Sequence, residues 1–126
     1  MKFEHFALNV ADARNVAQWY VEHLGMAIVR SLDHEPYTHF LADTSGRVIV
    51  EFYTNLLSPV PDYPSAHPLS FHVGFYTENA HATQTRLELA GASLFKEEKL
   101  ADGTVLVMMR DPWGLPIQLC QRARPF

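Results

Sequence analysis

Four residues of this chain have the types and the spacing to do chemistry: His5, Glu51, His72 and Gln118. From His5 to Glu51 is 46 positions, and from His72 to Gln118 is again 46. Each histidine lies in an apolar and aromatic stretch, FEHFALNV at residues 3–10 and LSFHVGFYT at residues 69–77. Glu51 and Gln118 each interrupt another such stretch, VIVEFY and LPIQLC, and a turn with an aspartate and a glycine precedes each, Asp43 to Gly46 and Asp111 to Gly114. Equal offsets with matched surroundings mark an internal repeat. Two imidazoles, a carboxylate and an amide oxygen suit a borderline divalent ion such as Zn, Ni, Co, Mn or Fe, with the amide as the weakest donor. Two waters would complete an octahedron and leave the ion open to substrate. Such an ion polarises a carbonyl or chelates adjacent oxygens, stabilising an enolate or lowering the pKa of a water.

The elements that must position these residues follow from periodicity. Residues 2–10 read as strand 1, an inner strand because both faces carry apolar residues. Asp12 is placed to cap a helix over 13–24, where Val16, Tyr20 and Leu24 recur at helical spacing and Gly25 ends the run. Strands are expected over 26–33, 37–43 and 47–53. Glu51 is informative there, because a carboxylate in an apolar strand needs a cation or donors to offset desolvation. Residues 55–68, with Pro59, Pro61, Pro64 and Pro68, cannot continue a sheet and read as a linker. The second half repeats the order: a strand over 69–77 with His72 in its middle, a helix over 79–90 followed by Gly91, and strands over 93–99, 105–110 and 115–121.

The expected fold class is therefore α+β. One domain, 1–126, holds two β-α-β-β-β modules, 1–54 and 69–121, joined by the linker 55–68. Neither module can cover its sheet alone, so two must pair, within one chain or between chains. A curved mixed sheet could then gather the four polar residues in its concavity.

Composition narrows the class further. At 126 residues with 48% hydrophobic and 19% charged residues, the chain is an ordinary globular domain with enough length for a core. No apolar run reaches membrane-span length and no signal-peptide pattern opens the chain, so a cytoplasmic protein is expected. A net charge of −4 without a Lys/Arg cluster excludes a nucleic-acid footprint. Cys120 is a lone cysteine in an apolar strand, expected as a buried thiol. His23, His34, His39, His67 and His81 have no symmetric counterparts and are expected on the surface or in loops. The run Lys96 to Lys99 is expected as a solvated strand end.

Several stretches carry a resemblance to a known family: H-x-x-L-x-V at His5 to Val10, WY-x-x-x-LGM at Trp19 to Met26, VIVEFYTN at Val48 to Asn55 and DPWG-x-P-IQL at Asp111 to Leu119. With them the whole chain resembles the vicinal oxygen chelate superfamily, and within it the bacterial glyoxalase I proteins. The resemblance implies paired β-α-β-β-β modules forming a metal-holding cup, often swapped across a homodimer with sites at the interface. It implies metal roles for His5, Glu51, His72 and Gln118 and a substrate contact for Asn55. It also implies lyase or isomerase chemistry on a small substrate chelated through vicinal oxygens.

Two departures bear on that expectation. The family usually has glutamate where Gln118 stands, and an amide cannot act as a base, so Glu51 carries proton transfer alone. Asn9 replaces an arginine that would grip a glutathione carboxylate, so glutathione dependence does not carry over. Two other readings stay open. One is a non-catalytic protein resembling the bleomycin-binding members, with Trp19, Tyr53, Phe71, Phe75 and Trp113 lining a groove. The other is an iron dioxygenase using His5, His72 and Glu51 as a facial triad.

Overall fold

Asp12 and Asn79 start the two helices by the same device. Each side chain accepts from the backbone N–H three residues on, Asp12 from Asn15 and Asn79 from Ala82, and so satisfies a donor that has no partner inside the helix. The helices are α1, Ala13–Leu24, and α2, Ala80–Leu89. A second device pins the first helical amide of each. The Thr54 hydroxyl accepts from Ala13 N at 2.9 Å, and the Gln121 side-chain oxygen accepts from Ala80 N at 2.9 Å. Gly25 ends α1 in the left-handed region at φ 69°, which a side chain rarely adopts.

The computed structural model describes residues 1–126 and divides into two units, Met1–Pro61 and Asp62–Phe126, with the division inside the Pro-rich stretch. In the first unit β1 (Phe6–Asn9), β2 (Ala27–Ser31), β3 (His39–Ala42) and β4 (Val48–Tyr53) form one sheet in the order β1-β4-β3-β2. In the second, β5 (Val73–Tyr76), β6 (Ser93–Lys99), β7 (Val105–Arg110) and β8 (Pro116–Gln121) take the matching order β5-β8-β7-β6. The parallel pairs β1–β4 and β5–β8 are reached through a helix, as a parallel connection requires, and the other pairs are antiparallel. The fold is α+β with two β-α-β-β-β modules.

The first core lies between α1 and its sheet. Tyr20 and Phe52 are fully buried with ring centroids 4.9 Å apart, and Val16, Ala17, Leu41 and Val50 pack around them. Burial of each large side chain is worth about 1.5–3 kcal/mol. In the second unit Leu87 of α2 packs with Val107, Met109, Ile117 and Leu119 as the buried set. The aspartate turns also match. The Asp43 carboxylate accepts from the Ser45 hydroxyl and from the Ser45 and Arg47 amides, and these bonds hold its pKa below the ordinary value. The Asp111 carboxylate accepts from the Trp113 and Leu115 amides, both at 2.9 Å, as a turn aspartate should.

Three local expectations are corrected. Strand 1 is not an inner strand: β1 pairs only with β4 and begins at Phe6, so His5 precedes it. His72 is not mid-strand, because β5 starts at Val73. Pro68 has no N–H to give a ladder, and the chain turns there, with Ser70 N donating to His67 O at 2.8 Å. His39 is not a surface residue. It lies in β3 at 8% exposure, with Nδ1 bonded to Tyr37 O at 2.6 Å.

Candidate functional site

Register decides which face each candidate residue occupies. Ala7 of β1 lies opposite Glu51 of β4, and His5 stands two residues before Ala7, so the imidazole and the carboxylate share a face. The second unit repeats this relation: Gly74 of β5 lies opposite Gln118 of β8, two residues after His72. Each unit therefore has a histidine just before its first strand, two residues from the position opposite Glu51 or Gln118.

In the first unit the pair meets. His5 Nε2 lies 3.1 Å from Glu51 Oε2, with the side chains 28% and 18% exposed. Phe40, opposite Glu51 on β3, sets its ring edge-on to the imidazole at 5.3 Å between centroids. His5 Nδ1 contacts the Glu4 carboxylate. His5 thus meets a carboxylate at each ring nitrogen, Glu4 at Nδ1 and Glu51 at Nε2, and a neutral imidazole has one N–H to offer the two. A second proton on the ring or a metal ion between Nε2 and Oε2 satisfies both contacts at 3.1 Å. Two ligands of one ion with bonds of about 2.1 Å stand about 3.0–3.4 Å apart, so the pair fits a divalent metal.

The second unit holds its pair differently. His72 Nδ1 donates to Pro68 O at 2.9 Å, which in the neutral ring leaves the Nε2 lone pair for an ion. The Gln118 side-chain oxygen accepts from the Cys120 thiol at 3.3 Å. Burial pushes that thiol's pKa up, which keeps it protonated and able to donate. No set of three or more His, Cys, Asp and Glu side chains comes together to hold an ion.

Asn55 is engaged locally. Its side-chain oxygen accepts from Leu57 N at 2.9 Å, and its backbone is gripped on both sides by Asn9, which donates to Asn55 O at 3.0 Å and accepts from Asn55 N at 2.8 Å. Asn9 also donates to Ser58 O at 3.0 Å and is 7% exposed. Its amide is a brace for the loop after β4, a role invisible in the sequence because the loop folds back from 46 positions away.

Arg110 was likewise unmarked. Its guanidinium donates to Tyr63 O, Ala66 O and Gly114 O at 2.7–2.9 Å, tying the Pro-rich stretch to the turn before β8. Three convergent carbonyls suit the fixed fork of an arginine. Beside it, a cavity of about 420 Å³ opens on the Gln118 face, lined by Pro68, Leu69, Phe95, Leu106 and Met108.

Comparison with known proteins agrees with this architecture. The model of the glyoxalase/bleomycin resistance protein/dioxygenase superfamily matches residues 2–119. A probable lactoylglutathione lyase of Vibrio parahaemolyticus is 26% identical over 124 residues, covering 93% of this chain and 88% of that protein. A glyoxalase family protein from Enterococcus faecalis superposes with a TM-score of 0.69 at 25% identity, over 94% of this chain and 96% of that one. Glyoxalase I from Zea mays superposes with a TM-score of 0.75 at 21% identity, over 98% of this chain but 45% of the maize chain. The last likeness is one of fold.

Proposed function

The chain belongs to the glyoxalase/bleomycin resistance protein/dioxygenase superfamily, and from that premise we propose that it is a metal-dependent lyase or isomerase acting on a small substrate with vicinal oxygens. The observation that carries this reading is the approach of His5 Nε2 to Glu51 Oε2 at 3.1 Å, an imidazole and a carboxylate at the spacing of two ligands of one ion. His5, Glu51, His72 and Gln118 would hold the ion. The shared register of the two units supports that set, as does the bond from His72 Nδ1 to Pro68 O, which leaves Nε2 for an ion.

Once bound, the ion would polarise the substrate oxygens and stabilise an enolate. Glu51 is the base: its carboxylate can take a proton from carbon and return it, while the Gln118 amide cannot. Phe40, against the imidazole, keeps one side of the pair apolar and limits access of water. The 26% relatives named lactoylglutathione lyase point to the same reaction class. A glutathione hemithioacetal is disfavoured as substrate, because Asn9 is consumed in bracing the 55–58 loop and offers no cation to a carboxylate. Pairing of modules across a homodimer, with Asn55 beside the substrate and the protein in the cytoplasm, completes the proposal.

The amide at Gln118, held by the Cys120 thiol, favours one second reading: a small-molecule-binding protein that keeps the fold without the chemistry. Metal analysis separates the two. By mass spectrometry the purified chain is expected to hold about one equivalent of divalent ion, which His5→Ala, His72→Ala and Glu51→Gln each diminish. Unchanged metal content in both histidine variants overturns the proposal. A wild-type chain that neither retains nor rebinds metal leaves the binding reading.

A further inference from the structure

On the face of the first sheet that carries His5 and Glu51, a cavity of about 300 Å³ is lined by Arg30, Ser31, Leu32, Thr38, Phe40 and Glu51. Register explains the gathering. Arg30 of β2 lies opposite Phe40 of β3, which lies opposite Glu51 of β4, so the three form one row across the sheet and project to the same side. The guanidinium makes no hydrogen bond, ion pair or ring contact within the chain, unlike those of Arg14 and Arg110. Its position therefore combines a fixed strand register, a concave surface and an unused bidentate cation.

We propose that this cavity takes an anionic group of the substrate, a carboxylate or a phosphoryl group, with Arg30 as its counter-charge. The inference rests on the reading of Glu51 and His5 as the reacting end, and it adds the chemical class of the other end. Adjacent strands lie about 4.8 Å apart, so the backbones of Arg30 and Glu51 are separated by about 10 Å across Phe40. An extended arginine covers most of that distance. A substrate of about five carbons bridges the rest, its vicinal oxygens at Glu51 and its anion at Arg30. Planar oxyanions suit the guanidinium fork, and Phe40 and Leu32 give the cavity apolar walls beside it.

Two probes of equal length test this, 2-oxoglutarate and 2-oxopentanoate, which share the chelating 2-oxo acid and differ in the terminal carboxylate. Titration calorimetry on the metal-loaded chain is expected to show 2-oxoglutarate binding about tenfold or more tightly, as for a charge-assisted contact. In Arg30→Gln the two should bind alike, with Arg30→Lys between, and metal content should stay at the wild-type level in both variants. Equal affinities in the wild type, discrimination surviving in Arg30→Gln, or no binding of either acid each overturn the proposal. Arg30 is exposed on an edge strand, so the variants are expected to fold, and circular dichroism checks that. Loss of metal from the wild type with discrimination intact would count against the metal-dependent reading and leave this inference standing.

Discussion

At the scale of single residues, the chemistry turns on what each polar atom has left to offer. His72 spends Nδ1 on Pro68 O and keeps Nε2, whereas His5 meets a carboxylate at each nitrogen, Glu4 at Nδ1 and Glu51 at Nε2. Glu51 brings an anion to one pair, whereas Gln118 brings a neutral oxygen that already accepts from Cys120. Gln118→Glu would restore a second anionic donor. It is expected to raise metal affinity by about tenfold or more, measured by competition with a chelator, because carboxylate oxygen is a far better ligand than amide oxygen. An unchanged affinity would mean that this side chain does not reach the ion. Cys120 would remain a donor to the new carboxylate, since burial holds its pKa high.

Among the elements, the turns before β4 and β8 show how one backbone shape can carry different loads. Gly46 and Gly114 both have positive φ, 82° and 87°, and each donates to its turn aspartate, Asp43 O or Asp111 O, at 2.9 Å. A Cβ on Gly46 would meet nothing within 4 Å, while one on Gly114 would stand 2.5 Å from Pro64 Cγ and 2.9 Å from its Cα. Gly46→Ala is therefore expected to cost about 1–2 kcal/mol, the left-handed penalty alone. Gly114→Ala adds overpacking against the Pro-rich stretch, for about 2–5 kcal/mol in all. Urea denaturation of the two variants measures the difference, and equal costs would show that the Pro64 contact yields freely. Arg110 ties the same stretch through three carbonyls, so the segment leading to His72 is bound to the sheet that carries Gln118.

For the whole molecule, the two units are alike in topology and in register, and each supplies two of the four proposed donors. A ligand that binds only the folded state stabilises it by about 2.7 kcal/mol at a hundredfold excess over Kd. Saturating divalent ion is thus expected to raise the thermal midpoint by several degrees, and a chelator to reverse the rise. Because the donors are divided between units, His5→Ala and His72→Ala should each remove most of the shift. A shift kept by one variant and lost in the other would assign the ion to a single unit.

The sequence by itself determined the elements and the repeat. Helix spans follow from caps and apolar periodicity, local signals carried within a few residues, and Asp12, Gly25 and Asn79 act where their types demand. Equal spacing marked His5, Glu51, His72 and Gln118 as equivalent pairs, because an equal count of residues through the same elements returns to the same register. Only the tertiary structure decided that His5 Nε2 faces Glu51 and that His39 is buried. The same holds for Asn9 bracing a loop, Arg110 gathering three carbonyls and Arg30 sharing a cavity with Glu51. The physical reason is that these are contacts between residues far apart along the chain. A hydrogen bond depends on where two atoms meet, which no residue's neighbours in sequence specify.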